Sequence, residues 1–469
     1  MNKFLFFVAV LLYAGVCPGV CGGMDLAGRL GAVPGVVSVE EGIDAVCGKF
    51  YRCLIKQPCD HERPDGGFFY QRFCLFYQSD SAAVVVVTTG GGLDSLCRSE
   101  AAVLLRANQV VVETRYCGES VPEGAVDWNT LTMNQVAADV HCVTEGLKTV
   151  FPRNYFVSAG RGQGGLEALF HRRYYPQDVE QTILYNTPFC MGAPDKRVTR
   201  HQIRLGKPPR RFQGRGINLG ANGGSFAFFP TFNELNYDIK DFQRYCFRHQ
   251  DSLLPLFEAY GKERGMSFER VGSPLRALQL TVLEYRPAFF YRAVSRELIP
   301  YKDFDDPKLY FEHLVSVADP ALFCDSSVVA QAPLAWLALN ETGSYEHFVR
   351  PYRGMLPKDI SDRSYLYAAD MPVAAVEFRQ GQMKELAKWV QREAKGILFV
   401  YGLLDVYSVA KVNLKRNGSC TLLVDPGQGY DCRMMGFDRV TCSYLEDMLV
   451  SAHRDYRRLL RKREQGEER

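Results

Sequence analysis

After its first 22 residues the chain has no apolar run approaching the roughly 20 residues that a bilayer span needs. It has no Cys-x-x-Cys pair, and its eight histidines are scattered, none at metal-ligand spacing, which excludes the common structural zinc sites. Neither sign of charge dominates: 56 Lys and Arg stand against 53 Asp and Glu, a formal net charge of +3. That balance gives no global attraction to nucleic acid. Two local basic runs exist, 200–215 (Arg204, Lys207, Arg210, Arg211) and 454–463. Without interleaved stacking aromatics, both read as solvated surface. Internal repeats and low-complexity tracts are absent too. No metal, cofactor, nucleic-acid partner or integral membrane span is expected.

What is present is a chain of 469 residues, 47% of them hydrophobic, enough for a large core and a second subdomain. Residues 1–22 have the pattern of an export signal: Lys3 at the start, a short apolar core from Phe4 to Val16, then small residues, with a cut before Gly23. A lipid anchor at Cys17 or Cys21 fits less well, because a valine precedes each. The expected location is the periplasm or the cell exterior. Of fifteen cysteines only Cys17 and Cys21 fall in the leader. Cys47, Cys53, Cys59 and Cys74 cluster early, Cys420, Cys432 and Cys442 late, and an oxidising compartment predicts some disulfides.

From about residue 50 to 190, strand-like and helical stretches alternate. Strands are expected at 68–77, 82–89, 109–113, 155–157 and 182–185. Within 131–150, Val136, Val140, Val143 and Leu147 recur at helical spacing. From roughly 230 to 320 the chain is helical in character. Alternation resumes near 372, with a helix over 384–394, strands at 397–401 and 421–424, and a closing helix over 444–460. The expectation is an α/β sheet, largely parallel, interrupted by a folded helical cap. The divisions are a leader (1–22), a first α/β part (23–205), the cap insertion (206–371) and a second α/β part (372–469).

The chemistry-bearing segment is Val157-Ser-Ala-Gly-Arg-Gly-Gln-Gly-Gly165, between an expected strand and an expected helix. A strand, a sharp turn flanked by glycines and a helix form the nucleophile elbow of α/β-hydrolases, normally G-x-S-x-G. Here the central residue is Gly162, which has no atom to attack with. The triad acid should end a late strand, and Asp405 does so after Ile397–Gly402. The histidine should follow the last strand, but that loop reads Asp425-Pro-Gly-Gln-Gly-Tyr430, and the one later histidine, His453, lies on the closing helix. Backbone N–H groups of Gln163 and of Gly90 and Gly91 are candidates for an oxyanion hole.

Several stretches resemble the serine peptidase family thirty-seven, the secreted bacterial tripeptidyl aminopeptidases. They are Gln57-Pro-Cys-Asp-His61 with Gln71-Arg72, then Ala107 to Pro122 with its Arg-Tyr-Cys-Gly-Glu-Ser core, then Trp128, Leu131-Thr132 and Gln135–Asp139. The elbow region and Arg172-Arg-Tyr-Tyr-Pro-Gln-Asp-Val179 complete the set. The likeness covers about 53–190 firmly and 397–432 more thinly; across the cap only the position matches. The resemblance implies an α/β-hydrolase whose serine falls on Gly162, whose aspartate falls on Asp405 and whose histidine falls on Tyr430. Two of three catalytic groups are then missing. That implies an inactive homologue retaining a peptide-binding or protein-interaction role. Glu113 and Glu119 are candidates for holding a peptide's terminal amine, or for pairing with Arg115.

Other readings stay open. Asp405 would also serve as a plain helix cap, and Asp60-His61 as a structural motif. A hydrolase with a nucleophile not identified in the sequence, such as a cysteine or a serine brought in by the cap, is one alternative; Ser158 reads as packed within its strand, and Ser408 has no base nearby in sequence. Another is a dinucleotide-binding oxidoreductase, since Gly160-x-Gly162-x-x-Gly165 satisfies G-x-G-x-x-G and Glu180 follows at about the ribose-binding distance.

Overall fold

The computed structural model describes residues 25–44, 48–93, 97–206, 232–300, 304–367, 371–372 and 376–464. The expected leader and Cys47 lie outside the described residues. Strands are β1 (Val36–Asp44), β2 (Gly48–Pro58), β3 (Phe68–Phe76), β4 (Val84–Thr88), β5 (Asn108–Val112), β6 (Phe156–Arg161), β7 (Gln181–Tyr185), β8 (Ile397–Gly402) and β9 (Cys420–Asp425). They join in one sheet, ordered β1-β2-β3-β5-β4-β6-β7-β8-β9. β1, β2, β3 and β5 pair antiparallel, and every pair from β5 through β9 is parallel. The central parallel strands β4 and β8 are apolar runs, Val84-Val-Val-Val87 and Ile397-Leu-Phe-Val400, because helices cover both faces.

The helices are α1 (Leu26–Gly31), α2 (Glu100–Leu104), α3 (Met133–Val150), α4 (Gly162–Tyr174), α5 (Lys196–His201), α6 (Phe232–Arg248), α7 (Gln250–Glu263), α8 (Pro274–Tyr291), α9 (Pro307–Val317), α10 (Asp325–Leu337), α11 (Gln380–Arg392) and α12 (Arg439–Glu464). α3 begins where the Thr132 hydroxyl accepts from the Gln135 amide at 3.3 Å, a side-chain N-cap. Val136, Leu169 and Leu386 pack with Phe399 on one side of the sheet. Ala101 and Leu445 pack with Val157 and Val400 on the other. Between β7 and β8, helices α6 to α10 build a core of their own around Phe242, Leu253, Leu278, Tyr310 and Leu314. This is the α/β-hydrolase sheet with a helical insertion. No described helix is long and apolar enough to cross a membrane.

Two expectations need correction. The sequence pattern does not predict the β1–β2 hairpin: exposed Glu40, Glu41, Lys49 and Arg52 occupy both of its faces, so the apolar signal is diluted at this edge. The disulfides are also not formed among the described cysteines of the two clusters: Cys53, Cys59, Cys74, Cys420, Cys432 and Cys442 are free thiols. They act instead as small core residues with weak hydrogen bonds. Cys420 Sγ donates to the Ala394 carbonyl at 3.4 Å and Cys432 Sγ to the Val400 carbonyl at 3.5 Å.

Candidate active site

The sheet order reverses at β4, which has β5 on one side and β6 on the other. In open parallel sheets a crevice forms at such a switch point, beyond the carboxyl ends of the strands. The loops after β4, β6, β8 and β9 all leave at that edge, so segments far apart in sequence converge there.

Gly162 follows β6 directly and opens α4 with φ +54°, a left-handed conformation that glycine adopts without strain. A Cβ built there would stand 3.2 Å from the Tyr430 hydroxyl and 3.5 Å from its Cε2. The phenol therefore fills the space over the elbow where an attacking side chain would project. Tyr430 is fixed by its backbone: its carbonyl accepts from Arg161 Nη1 and, at 2.7 Å, from Asn186 Nδ2. Asn186 Oδ1 in turn accepts from the Gly402 amide at 2.9 Å, tying the β9 loop to the end of β8. The Tyr430 ring stacks on Tyr291 of α8, with centroids 4.9 Å apart. Burial pushes its hydroxyl up to about 12, so it stays protonated at neutral pH.

Asp405 follows β8 and is 5% exposed. It occupies the N-cap position of the turn Val406–Ala410, yet its side chain makes no capping bond, and Oδ2 is buried without a partner. Burial pushes its carboxyl up to about 7; the amides of Tyr407 and Val406 and the Arg161 charge only partly offset this. A buried carboxylate oxygen ordinarily has a donor. In a triad that donor would be the imidazole. Gly162, Tyr430 and Asp405 thus share one edge, with the Asp405 charge felt at Tyr430.

The expected oxyanion hole changes. Gly90 N–H donates to Glu167 Oε2 at 3.2 Å and Gly91 N–H to Thr114 Oγ1 at 2.9 Å, so both amides are committed within the protein. Glu167, on α4, also accepts from the Thr114 hydroxyl at 2.8 Å, and burial pushes its carboxyl up to about 7. Gln163 N–H sits in the first turn of α4, where amides lack intrahelical partners. It is the one of the three proposed donors still suited to the role.

Glu113 is likewise unavailable to a ligand. It is fully buried and accepts from Arg72 Nη2 (2.6 Å), Ser120 Oγ (2.6 Å) and the Leu93 amide (2.8 Å). Exposed Glu119 pairs with Arg72 as well, at 2.8 Å. Arg115 instead grips both oxygens of Asp139, at 2.6 and 2.7 Å, and His61 binds that same carboxylate rather than Asp60. The sequence neighbours suggested the wrong partners because the fold brings α3 onto this face.

The dinucleotide reading fails on geometry. Glu180 accepts from the Phe156 amide at 2.8 Å, at the start of β6, whereas the glycine turn is at its end. Five residues of strand, about 16 Å, separate them. Ser158 is buried and bonded to Thr182. Ser408 does meet a histidine that sequence alone could not assign to it, His201, at 3.1 Å. However, Ser408 is 2% exposed and donates to the Leu403 carbonyl, so it is a packing contact, not an accessible nucleophile. A further cluster, His141, Glu145 and Asp178, has ligand-type atoms, but Lys148 already pairs with Glu145 and lies 3.6 Å from Asp178, and His171 hydrogen-bonds Asp178 at 2.7 Å.

Residues 21–221 match the family described as PS-10 peptidase S37. The prolyl tri/tetrapeptidyl aminopeptidase of Streptomyces mobaraensis is 28% identical over 392 residues, covering 82% of this chain and 75% of that one. Similar solved structures include the proline iminopeptidase of Mycobacterium smegmatis (13% identical, TM-score 0.39, 87% of this chain and 99% of that one). The carboxyl esterase of Bacillus coagulans is another (12% identical, TM-score 0.33, 87% and 99%). The strand order, not these scores, carries the fold assignment.

Proposed function

We propose that the chain, whose residues 21–221 match the peptidase S37 family, is a non-catalytic, exported relative of those peptidases that binds peptides without cleaving them. The observation that carries this reading is the Tyr430 hydroxyl, 3.2 Å from the point where a side chain on Gly162 would begin. Loss of nucleophile and base together removes on the order of 10^6-fold of turnover in a serine protease, and neither glycine nor a protonated phenol replaces them. The cap (206–371) between the two hydrolase parts keeps a cavity of about 230 Å³ beside Tyr407, two residues from Asp405. Glu284, His347, Tyr345 and Tyr365 line it with Asp362 and Arg363; Glu284 and His347 are 2.8 Å apart, and Arg363 is held by Ser344 Oγ and the Tyr345 carbonyl. A carboxylate among aromatic rings suits a peptide's terminal ammonium, the role that buried Glu113 does not fill.

The test is calorimetric binding of a tripeptide with a free N-terminus and a C-terminal amide, alongside turnover of its chromogenic amide. Saturable binding, weakened about tenfold in Glu284→Gln, with no product release, is expected. Product release at rates typical of the family, or binding indifferent to N-acetylation of the tripeptide, would contradict it.

A further inference from the structure

A second cavity lies on another side of the insertion. About 180 Å³ in volume, it is bounded by α6, α8 and the stretch 348–352. Arg286 and Lys240 line it with Gln202, Asn236, Gln243 and Tyr352, and no Asp or Glu is among its described lining residues. Arg286 is 6% exposed. Its Nε donates to the Gln202 carbonyl at 2.6 Å, and its Nη2 to Asn236 Oδ1 at 2.5 Å and the Ile203 carbonyl at 3.4 Å. Every one of those acceptors is neutral. An unpaired buried charge costs several kcal/mol, so buried guanidinium groups ordinarily sit against carboxylates. Arg115 in this same chain does so, against Asp139.

The walls are rigidly arranged. Gln243 donates to the Val282 carbonyl and accepts from the Tyr352 hydroxyl, at 2.7 and 2.8 Å. The Gln202 amide is held at both ends by Glu346 and Phe348 backbone atoms. Burial pushes the Arg286 guanidinium down to about 10, still charged at neutral pH. A water's share of liquid volume is about 30 Å³, so the cavity has room for a small anion and a few waters. We propose that this cavity binds a compact oxyanion, a carboxylate or a phosphate group, with Arg286 and Lys240 as its cationic ligands. Charge-assisted bonds from a pre-set guanidinium are the strong recognition element for such groups.

The test is thermal melting of the full chain with inorganic phosphate, and separately with an N-acetylated tripeptide bearing a free C-terminal carboxylate. Sodium chloride at matched ionic strength and the peptide's C-terminal amide are controls. A saturable rise in Tm with phosphate, with the free acid, or with both is expected, and whichever arm responds names the oxyanion. Neither control should reproduce it. Lys240→Ala should weaken the apparent affinity about tenfold, and Arg286→Met should abolish the rise. Should Arg286→Met fail to fold, Lys240→Ala decides alone. No saturable rise with either anion, a rise matched by chloride, or an unchanged response in Lys240→Ala would overturn the proposal.

Discussion

Combining Gly162→Ser with Tyr430→His is expected to produce a chain that a fluorophosphonate labels at position 162, with tripeptide cleavage at least about 100-fold above the wild type. The turn is already shaped for a nucleophile: φ is +54° at Gly162, and α4 begins there. The second substitution is needed because the Tyr430 hydroxyl stands 3.2 Å from the new Cβ and would crowd any serine hydroxyl. Position 430 should keep its backbone path when the ring changes, since Arg161 and Asn186 hold its carbonyl, not its side chain. An imidazole there would lie within the electrostatic reach of Asp405, whose Oδ2 is buried without a partner. Gly162→Ser alone should stay near the wild-type level, because it adds a nucleophile without a base. Activity of the pair should also fall well short of a native peptidase: with Gly90 and Gly91 N–H already committed, a missing oxyanion donor costs about 10^2- to 10^3-fold. A folded double variant that takes no label would mean that the two positions do not share a site.

The stability of the wild type is expected to fall as pH rises from about 4 to 8, and Asp405→Asn is expected to flatten that fall. The unfolded carboxyl titrates near ~3.9, while burial holds the folded one near about 7. Between those values the folded chain keeps a proton that the unfolded chain has released. The stabilising contribution is therefore full below pH ~4 and is lost as pH climbs through about 7. The separation corresponds to about 4 kcal/mol. Asparagine keeps the shape and carries no charge, so urea unfolding of the variant should show a pH 4-to-8 loss smaller by roughly that amount. Part of the decline should persist, because Glu167 is also buried and also titrates near about 7. Superimposable pH profiles for wild type and variant would show that Asp405 is ionised and satisfied in the fold.

The parallel half of the sheet was legible in the sequence because β4 and β8 are apolar runs ending near glycine, while β6 and β7 carry shorter apolar stretches between helical segments. Gly162, Asp405 and Tyr430 were legible because each sits just after an expected strand, where the topology collects loops. The β1–β2 hairpin was not, since charged residues on both of its faces leave no clean alternation. Nor was the fate of the Gly90 amide: Glu167 reads as one more polar residue in Leu166-Glu-Ala-Leu-Phe170, and only packing of α4 against the β4 loop turns it inward. Arg115 and Glu113 are two apart on one strand end, and sequence favoured pairing them. The fold instead supplies Asp139 and Arg72 from other elements. Thiol pairing was inferred from compartment alone, which says nothing about the distances between cysteines. Arg286 and Lys240 come from separate helices and carry no sequence signature of a shared cavity.

The most direct measurement is the intact mass of the wild-type chain after prolonged exposure to excess fluorophosphonate, beside an active serine hydrolase as control. The expected result is an unchanged mass while the control is fully modified. A stoichiometric adduct on any serine, Ser408 or Ser158 included, would contradict a site emptied of its attacking group.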